Sequence, residues 1–190
     1  MLAQQPALLV VYICTMITSY VMYLMLFSLP QWLENVKHIP PAQTGLLLFP
    51  MSLASASAAL IVSGRESLLL KNLLALISIT AACIAIFFLH EQTPFVLVIS
   101  ITMLMGLATG INPIANQASL YATAPQGQTG LSFGLYRTFG YLGAIISGSQ
   151  MKTTFRTGVT DNNFHTMTIF AGACCILLVV LTLRKTAFSR

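Results

Sequence analysis

Tyr12, Ser19 and Tyr23 stand seven and four residues apart, which stacks them on one face of a helix with Thr15 and Met16 at its flanks. Further along, Thr102, Thr109 and Asn116 repeat every seven residues, with Asn112 beside them. Phenols, hydroxyls and amides donate and accept hydrogen bonds without changing charge, so the chemistry open to these two stripes is recognition. They can bridge one helix to the next, or they can line a cavity that holds an organic molecule; the spacing alone leaves both readings open.

Covalent and hydrolytic chemistry lack their parts. There is no Ser/His/Asp or Cys/His pattern, no phosphate loop and no metal-ligand spacing, so neither an enzyme nor a cofactor or metal is expected. Cys14, Cys83, Cys174 and Cys175 all fall in apolar stretches and read as small apolar residues. The acids Glu34, Glu66, Glu91 and Asp161 fall in turns, and His38, His90 and His165 sit in loops or at the edges of apolar stretches. A proton-coupled carrier needs a group that titrates inside the membrane. This chain by itself is therefore not expected to couple to protons through a buried side chain.

The elements that carry the stripes are long apolar runs. Residues 8–29, 44–62, 73–89, 95–114, 131–148 and 167–183 each approach the roughly 20 residues that cross about 30 Å of hydrocarbon as a helix. The 190-residue chain is 56% hydrophobic and 7% charged, too little polar surface to coat a soluble globule. A barrel would alternate apolar and polar residues over strands of about ten. The expected fold is all-α: one polytopic six-helix transmembrane bundle over residues 1–190. The first run is too long for a signal peptide and lacks a basic start, so it reads as a true span.

Charge sets orientation. An inner side carrying Arg65, Lys71, Arg184, Lys185 and Arg190 faces an outer side carrying Lys37, Lys152 and Arg156, which favours both termini in the cytoplasm. The net charge of +5 is spread over loops with no stripe of interleaved aromatics, so nucleic acid is not an expected partner; the lipid bilayer is. Trp32, just past the first run, suits an interfacial anchor. Arg137 stands apart, about seven residues or roughly 10 Å into the fifth run, where a guanidinium costs on the order of 2.5–3.5 kcal/mol on insertion scales. It must snorkel, meet a partner or face an aqueous cavity.

Small residues predict close helix contacts: Gly106 with Gly110, Gly130 with Gly134, and Ser52, Ser55, Ala56 and Ala59 in the second run. Pro50 and Pro113 interrupt backbone hydrogen bonding within or at the end of runs, where bends form beside cavities.

Two passages carry a family resemblance. Leu29-Pro30-Gln31-Trp32-Leu33 followed by Gly45-Leu46-Leu47-Leu48-Phe49-Pro50 resembles the passage that opens the C-terminal bundle of major facilitator superfamily permeases, above all the drug:proton antiporters that perform multidrug efflux. The run from Gly106 through Gly110 and Pro113, then Pro125, Gly130, Gly134, Arg137, Gly140 and Gly143, is similar to the family's pattern of glycines, prolines and one arginine. Only Gly64, Arg65 and Lys71 around Glu66 remain of the family's glycine-rich basic loop.

The resemblance implies two inverted three-helix repeats forming half of a facilitator fold, in the plasma (inner) membrane with both termini inside. It implies that the first helix of each repeat lines a central cavity. Tyr12, Ser19, Tyr23, Thr109, Asn112, Asn116 and Arg137 then become candidate substrate-binding residues, and Pro50, Gly106, Gly110 and Pro113 candidate hinges. A cavity of tyrosine, methionine and amides with no acid suits a small amphipathic organic substrate. Transport would need an N-terminal half in trans or a second copy. From a different class, the chain could be a truncated or split-gene membrane polypeptide that moves nothing; a self-paired six-span transporter is a third reading, which the charge bias disfavours.

Overall fold

A computed structural model describes the backbone of residues 6–188 and the side chains of residues 7–182. Arg184, Lys185 and Arg190, three of the cations used to orient the chain, lie outside the described side chains, as does Leu183 at the end of the sixth run.

Six α-helices account for nearly all of it: α1 (Pro6–Asn35), α2 (Pro41–Ser63), α3 (Leu68–Phe87), α4 (Phe95–Thr123), α5 (Thr129–Thr154) and α6 (Asp161–Phe188), with a 3₁₀ turn at Phe155–Thr157. Local chemistry explains the boundaries. α2 opens with proline in its first turn, where the missing N–H costs nothing. Ser67 caps α3 through its Oγ, which accepts from the Leu70 N–H at 3.3 Å. α4 stops at Ala124, whose extended ψ of 135° is what the following Pro125 imposes. Beyond α5, Gly158 takes a φ of 117°, and a side chain there would be strained.

The helices outrun the apolar stretches. α4 continues past Ile114 to Thr123 and carries Pro113 inside it, and α1 carries Pro30. Five of the helices are long and apolar enough to cross a membrane; α5 is not among them. At 26 residues it has the length, about 39 Å at 1.5 Å per residue. Its glycines, Arg137 and Lys152 dilute its apolar character, because one side of it is given to packing and another to a cavity.

The most extensive packing joins α2 to α4 and α1 to α5. α1 also packs on α6, and α3 on α4. Exchanging α1–α3 with α4–α6 turns each of these pairs into another of them, as two inverted three-helix repeats require. Glycine makes the two largest contacts possible. A Cβ on Gly106 would strike the Met51 carbonyl oxygen and lie 2.9 Å from Ala54 Cβ, and one on Gly110 would strike the Ser55 carbonyl. On the other side, a Cβ on Gly143 would strike the Met16 carbonyl and lie 2.9 Å from the Tyr20 nitrogen. Gly106 and Gly110, candidate hinges by sequence, thus act as close-contact points. Gly130 and Gly134 correct the expectation of a second glycine contact: a Cβ on either would meet nothing within 4 Å, because that face of α5 meets no other helix.

Trp32 is a second correction. It is fully buried, stacks on Phe164 at 5.3 Å and donates from Nε1 to Asp161 Oδ1 at 2.6 Å, so it joins α1 to α6 and does not sit at a lipid interface. Around it, Lys37 Nζ donates to the carbonyls of Glu91 and Thr93, each at 2.7 Å. Leu60, Val96 and Leu46 are among the large apolar side chains left exposed, the surface a lipid-embedded bundle presents.

Candidate cavity between the helices

Between α1, α2, α4 and α5 lies a cavity of about 600 Å³, within the range of small-molecule sites. Helix register sets its height. α1 contributes residues from Thr15 to Leu26 and α2 from Leu48 to Ala59, eleven residue steps each, or about 16 Å of axial rise at mid-helix. α4 contributes Thr109, Pro113 and Asn116, and α5 contributes Tyr136, Arg137, Gly140 and Tyr141. No residue of α3 or α6 lines it. Those two helices back the bundle instead, where Ile79, Ala82 and Ile86 of α3 join Phe164, Met167 and Ala171 of α6 in the main buried cluster.

Of the candidate binding residues, Ser19, Tyr23, Thr109, Asn116 and Arg137 come together on the cavity wall. Arg137 is exposed there, its Cζ 5.1 Å from the centre of the Phe133 ring one turn back along α5. It makes no ion pair among the described residues. Asn116, Tyr23 and Ser19 likewise make no side-chain hydrogen bond among them, whereas Thr109 Oγ1 is turned back onto the Gly106 carbonyl at 3.0 Å.

Tyr12 and Asn112 stand elsewhere. Tyr12 is completely buried, stacked on Phe139 at 5.3 Å, with its hydroxyl donating to the Ser132 carbonyl at 3.3 Å. Its face of α1 is covered by α5 at that height. Asn112 is turned from the cavity toward α3: Nδ2 donates to the Ala75 carbonyl of α3 at 3.1 Å and to its own helix at Ala108, 2.8 Å. Both are helix-to-helix ties. Pro113 lines the cavity inside a continuous α4, and Pro50 lies inside α2 away from it.

Ser52, Ser55, Ala56 and Ala59 of the α2 wall read by sequence as a small-residue contact surface, and the wall serves as both contact and lining: Met51 and Ser55 touch the α4 glycines while also bordering the cavity. Tyr136 and Tyr141 escaped notice. Their signal is the run Tyr136, Arg137, Gly140, Tyr141, which repeats at one-turn spacing on one side of α5.

The four acids stay at the helix ends. Glu34 is in the last turn of α1, Asp161 begins α6, and Glu66 and Glu91 lie between helices. Such an arrangement, a largely apolar cavity with hydroxyls, an amide and one guanidinium, can bind an organic molecule by hydrogen bonds and apolar contact but holds no internal carboxylate to titrate.

Comparison with known proteins agrees with this geometry. Residues 1–148 match the Major Facilitator Superfamily. The chain is 29% identical to the "Uncharacterized MFS-type transporter YwoD" of Bacillus subtilis (strain 168) over 93% of its own length and 41% of that protein's. It is 25% identical to the "Uncharacterized MFS-type transporter YvkA" of the same organism over 88% of its length and 37% of the relative's. The chain spans about two-fifths of the length of these curated relatives. An all-helical membrane-embedded bundle with a mid-height cavity and a family match over most of its residues leads to one conclusion: the chain belongs to the Major Facilitator Superfamily, a family of membrane transporters and not of enzymes.

Proposed function

We propose that the chain is the C-terminal six-helix half of a facilitator-type efflux permease for amphipathic organic compounds, working with an N-terminal half. The observation that carries this is the cavity itself, about 600 Å³ at mid-height and walled by the first two helices of each three-helix repeat. Ser52, Ala56, Pro113 and Tyr141 leave its rim exposed, so a facing bundle would complete the enclosure. Hydroxyls and an amide share the wall with Met22, Leu26, Leu48 and Met51, a mixture suited to a molecule with both polar and apolar parts.

Transport would proceed by rocking of the two bundles about this site. The backbone-to-backbone contacts at Gly106, Gly110 and Gly143 favour motion of this half as one body, with Pro113 and Pro50 the places where a helix can bend. A carboxylate for proton coupling belongs to the facing half. Both termini lie on the cytoplasmic side of the plasma membrane, as the loop charges favour.

The experiment is efflux of an amphipathic dye from cells stripped of their own pumps, with this chain expressed alone or with a matching N-terminal half, insertion verified in each. Efflux that needs both halves is the expected result. If Tyr23→Ala and Asn116→Ala together leave that efflux unchanged, the assignment of the cavity fails.

A further inference from the structure

We infer that the cavity is built for an amphipathic organic anion, with its charged group at Arg137 and its apolar body directed toward Met22, Leu26, Leu48 and Met51. This rests on the cavity being the substrate site.

The cavity is polarised along its length. α1 and α5 rise from the end of the bundle that carries the α4–α5 turn, while α2 and α4 descend toward it, so residue numbers convert to height. Nearest that turn stand Thr15, Ala59, Asn116, Tyr136 and Arg137. At the far end stand Met22, Tyr23, Leu26, Leu48 and Met51. One end is therefore polar and cationic, the other predominantly apolar, and about 16 Å of helix rise separates them. A molecule with a charged head and an apolar body fits this gradient in one direction only.

The sign of the head follows from the charges. Arg137 is the single ionised side chain on the wall, and it makes no ion pair among the described residues. Its guanidinium lies over Phe133, which supports one face of it and leaves its N–H edge able to bond. The amide of Asn116, without a side-chain partner among the described residues, stands on the facing helix at the same end. A guanidinium and an amide donor at one end of a cavity recognise a carboxylate, sulfonate or phosphate, and the guanidinium repels a cation.

The test uses two fluorescent probes that share one body: 8-anilinonaphthalene-1-sulfonate, an anion, and N-phenyl-1-naphthylamine, which lacks the sulfonate. Each is titrated into the full chain in phosphatidylcholine nanodiscs, with empty nanodiscs as background. Arg137→Gln is expected to weaken sulfonate binding about tenfold or more and to leave the neutral probe unchanged, while Arg137→Lys, which keeps the charge, loses less than Arg137→Gln. Leu26→Gln, at the apolar end, is expected to weaken both probes alike. Binding of neither probe above background overturns the cavity as a substrate site, and the anion assignment with it. Binding of both probes with Arg137→Gln affecting neither, or both equally, overturns the anion assignment alone. A Leu26→Gln variant that binds both probes normally overturns the placement of the apolar body.

Discussion

Trp32 Nε1 donates to Asp161 Oδ1 at 2.6 Å, tying the last turn of α1 to the first residue of α6, two positions 129 residues apart in the chain. The second oxygen of the same carboxylate accepts from the Glu91 backbone N–H at 3.3 Å, so one aspartate holds three segments at this end of the bundle.

Removing that carboxylate should loosen the end without touching the cavity. Asp161→Ala is expected to lower stability by about 1.5–3 kcal/mol, the range for hydrogen bonds to a charged group, and Asp161→Asn by less. Trp32→Phe loses the N–H donor and also leaves a void where the larger indole was buried against Phe164, so it too should lower stability. Thermal unfolding of the detergent-solubilised chain reads all three.

The glycines divide into two kinds. Replacing an interior helical glycine by alanine gains up to about 1 kcal/mol of helix propensity, while overpacking costs about 1–3 kcal/mol. At Gly106 and Gly110 the new methyl would meet the rigid carbonyls of Met51 and Ser55, so destabilisation should win. At Gly134, with nothing within 4 Å, the propensity gain stands alone and the variant should be neutral or slightly stabilised. The same unfolding measurement separates them.

Asn112 and Asn116 are one helical turn apart and should behave oppositely. Asn112→Ala removes the tie to the Ala75 carbonyl and is expected to cost stability, about 0.6–2 kcal/mol, with probe binding retained. Asn116→Ala should leave stability nearly unchanged and weaken binding of the anilinonaphthalene sulfonate. Running both assays on both variants exposes any exchange of these roles.

Cys83 of α3 and Cys175 of α6 bring their sulfurs to 3.2 Å in the buried interior, and Cys174 is not part of that contact. A membrane-permeant oxidant such as diamide should convert this pair to a disulfide, taking two hydrogens and halving the count of four titratable thiols. Cys83→Ser or Cys175→Ser should abolish the loss. Unchanged thiol counts in the unsubstituted chain would contradict the juxtaposition of α3 and α6.

Much of the architecture is written in composition and period. Long apolar runs force the backbone to satisfy its own hydrogen bonds, which in lipid leaves helices, and the acids and most of the basic residues are pushed to the ends by the cost of burying them. The pair Gly106 and Gly110 announced a close contact because only glycine admits a neighbouring carbonyl at that distance. Helical spacing also places Tyr12, Ser19 and Tyr23 within a sector of about 40° on α1, since seven residues return to within about 20° of the starting direction. What that sector faces is another matter. Helices cross at an angle, so the same stripe of α1 runs under α5 at Tyr12 and emerges into the cavity at Ser19 and Tyr23. Asn112 lies about 60° around α4 from Thr109, enough to turn its amide from the cavity to α3. The burial of Trp32 had no local signal at all, because its partner Asp161 is supplied by a helix at the other end of the sequence. Period and composition set the faces; only the packing of one helix on another decides which face meets protein, lipid or the cavity.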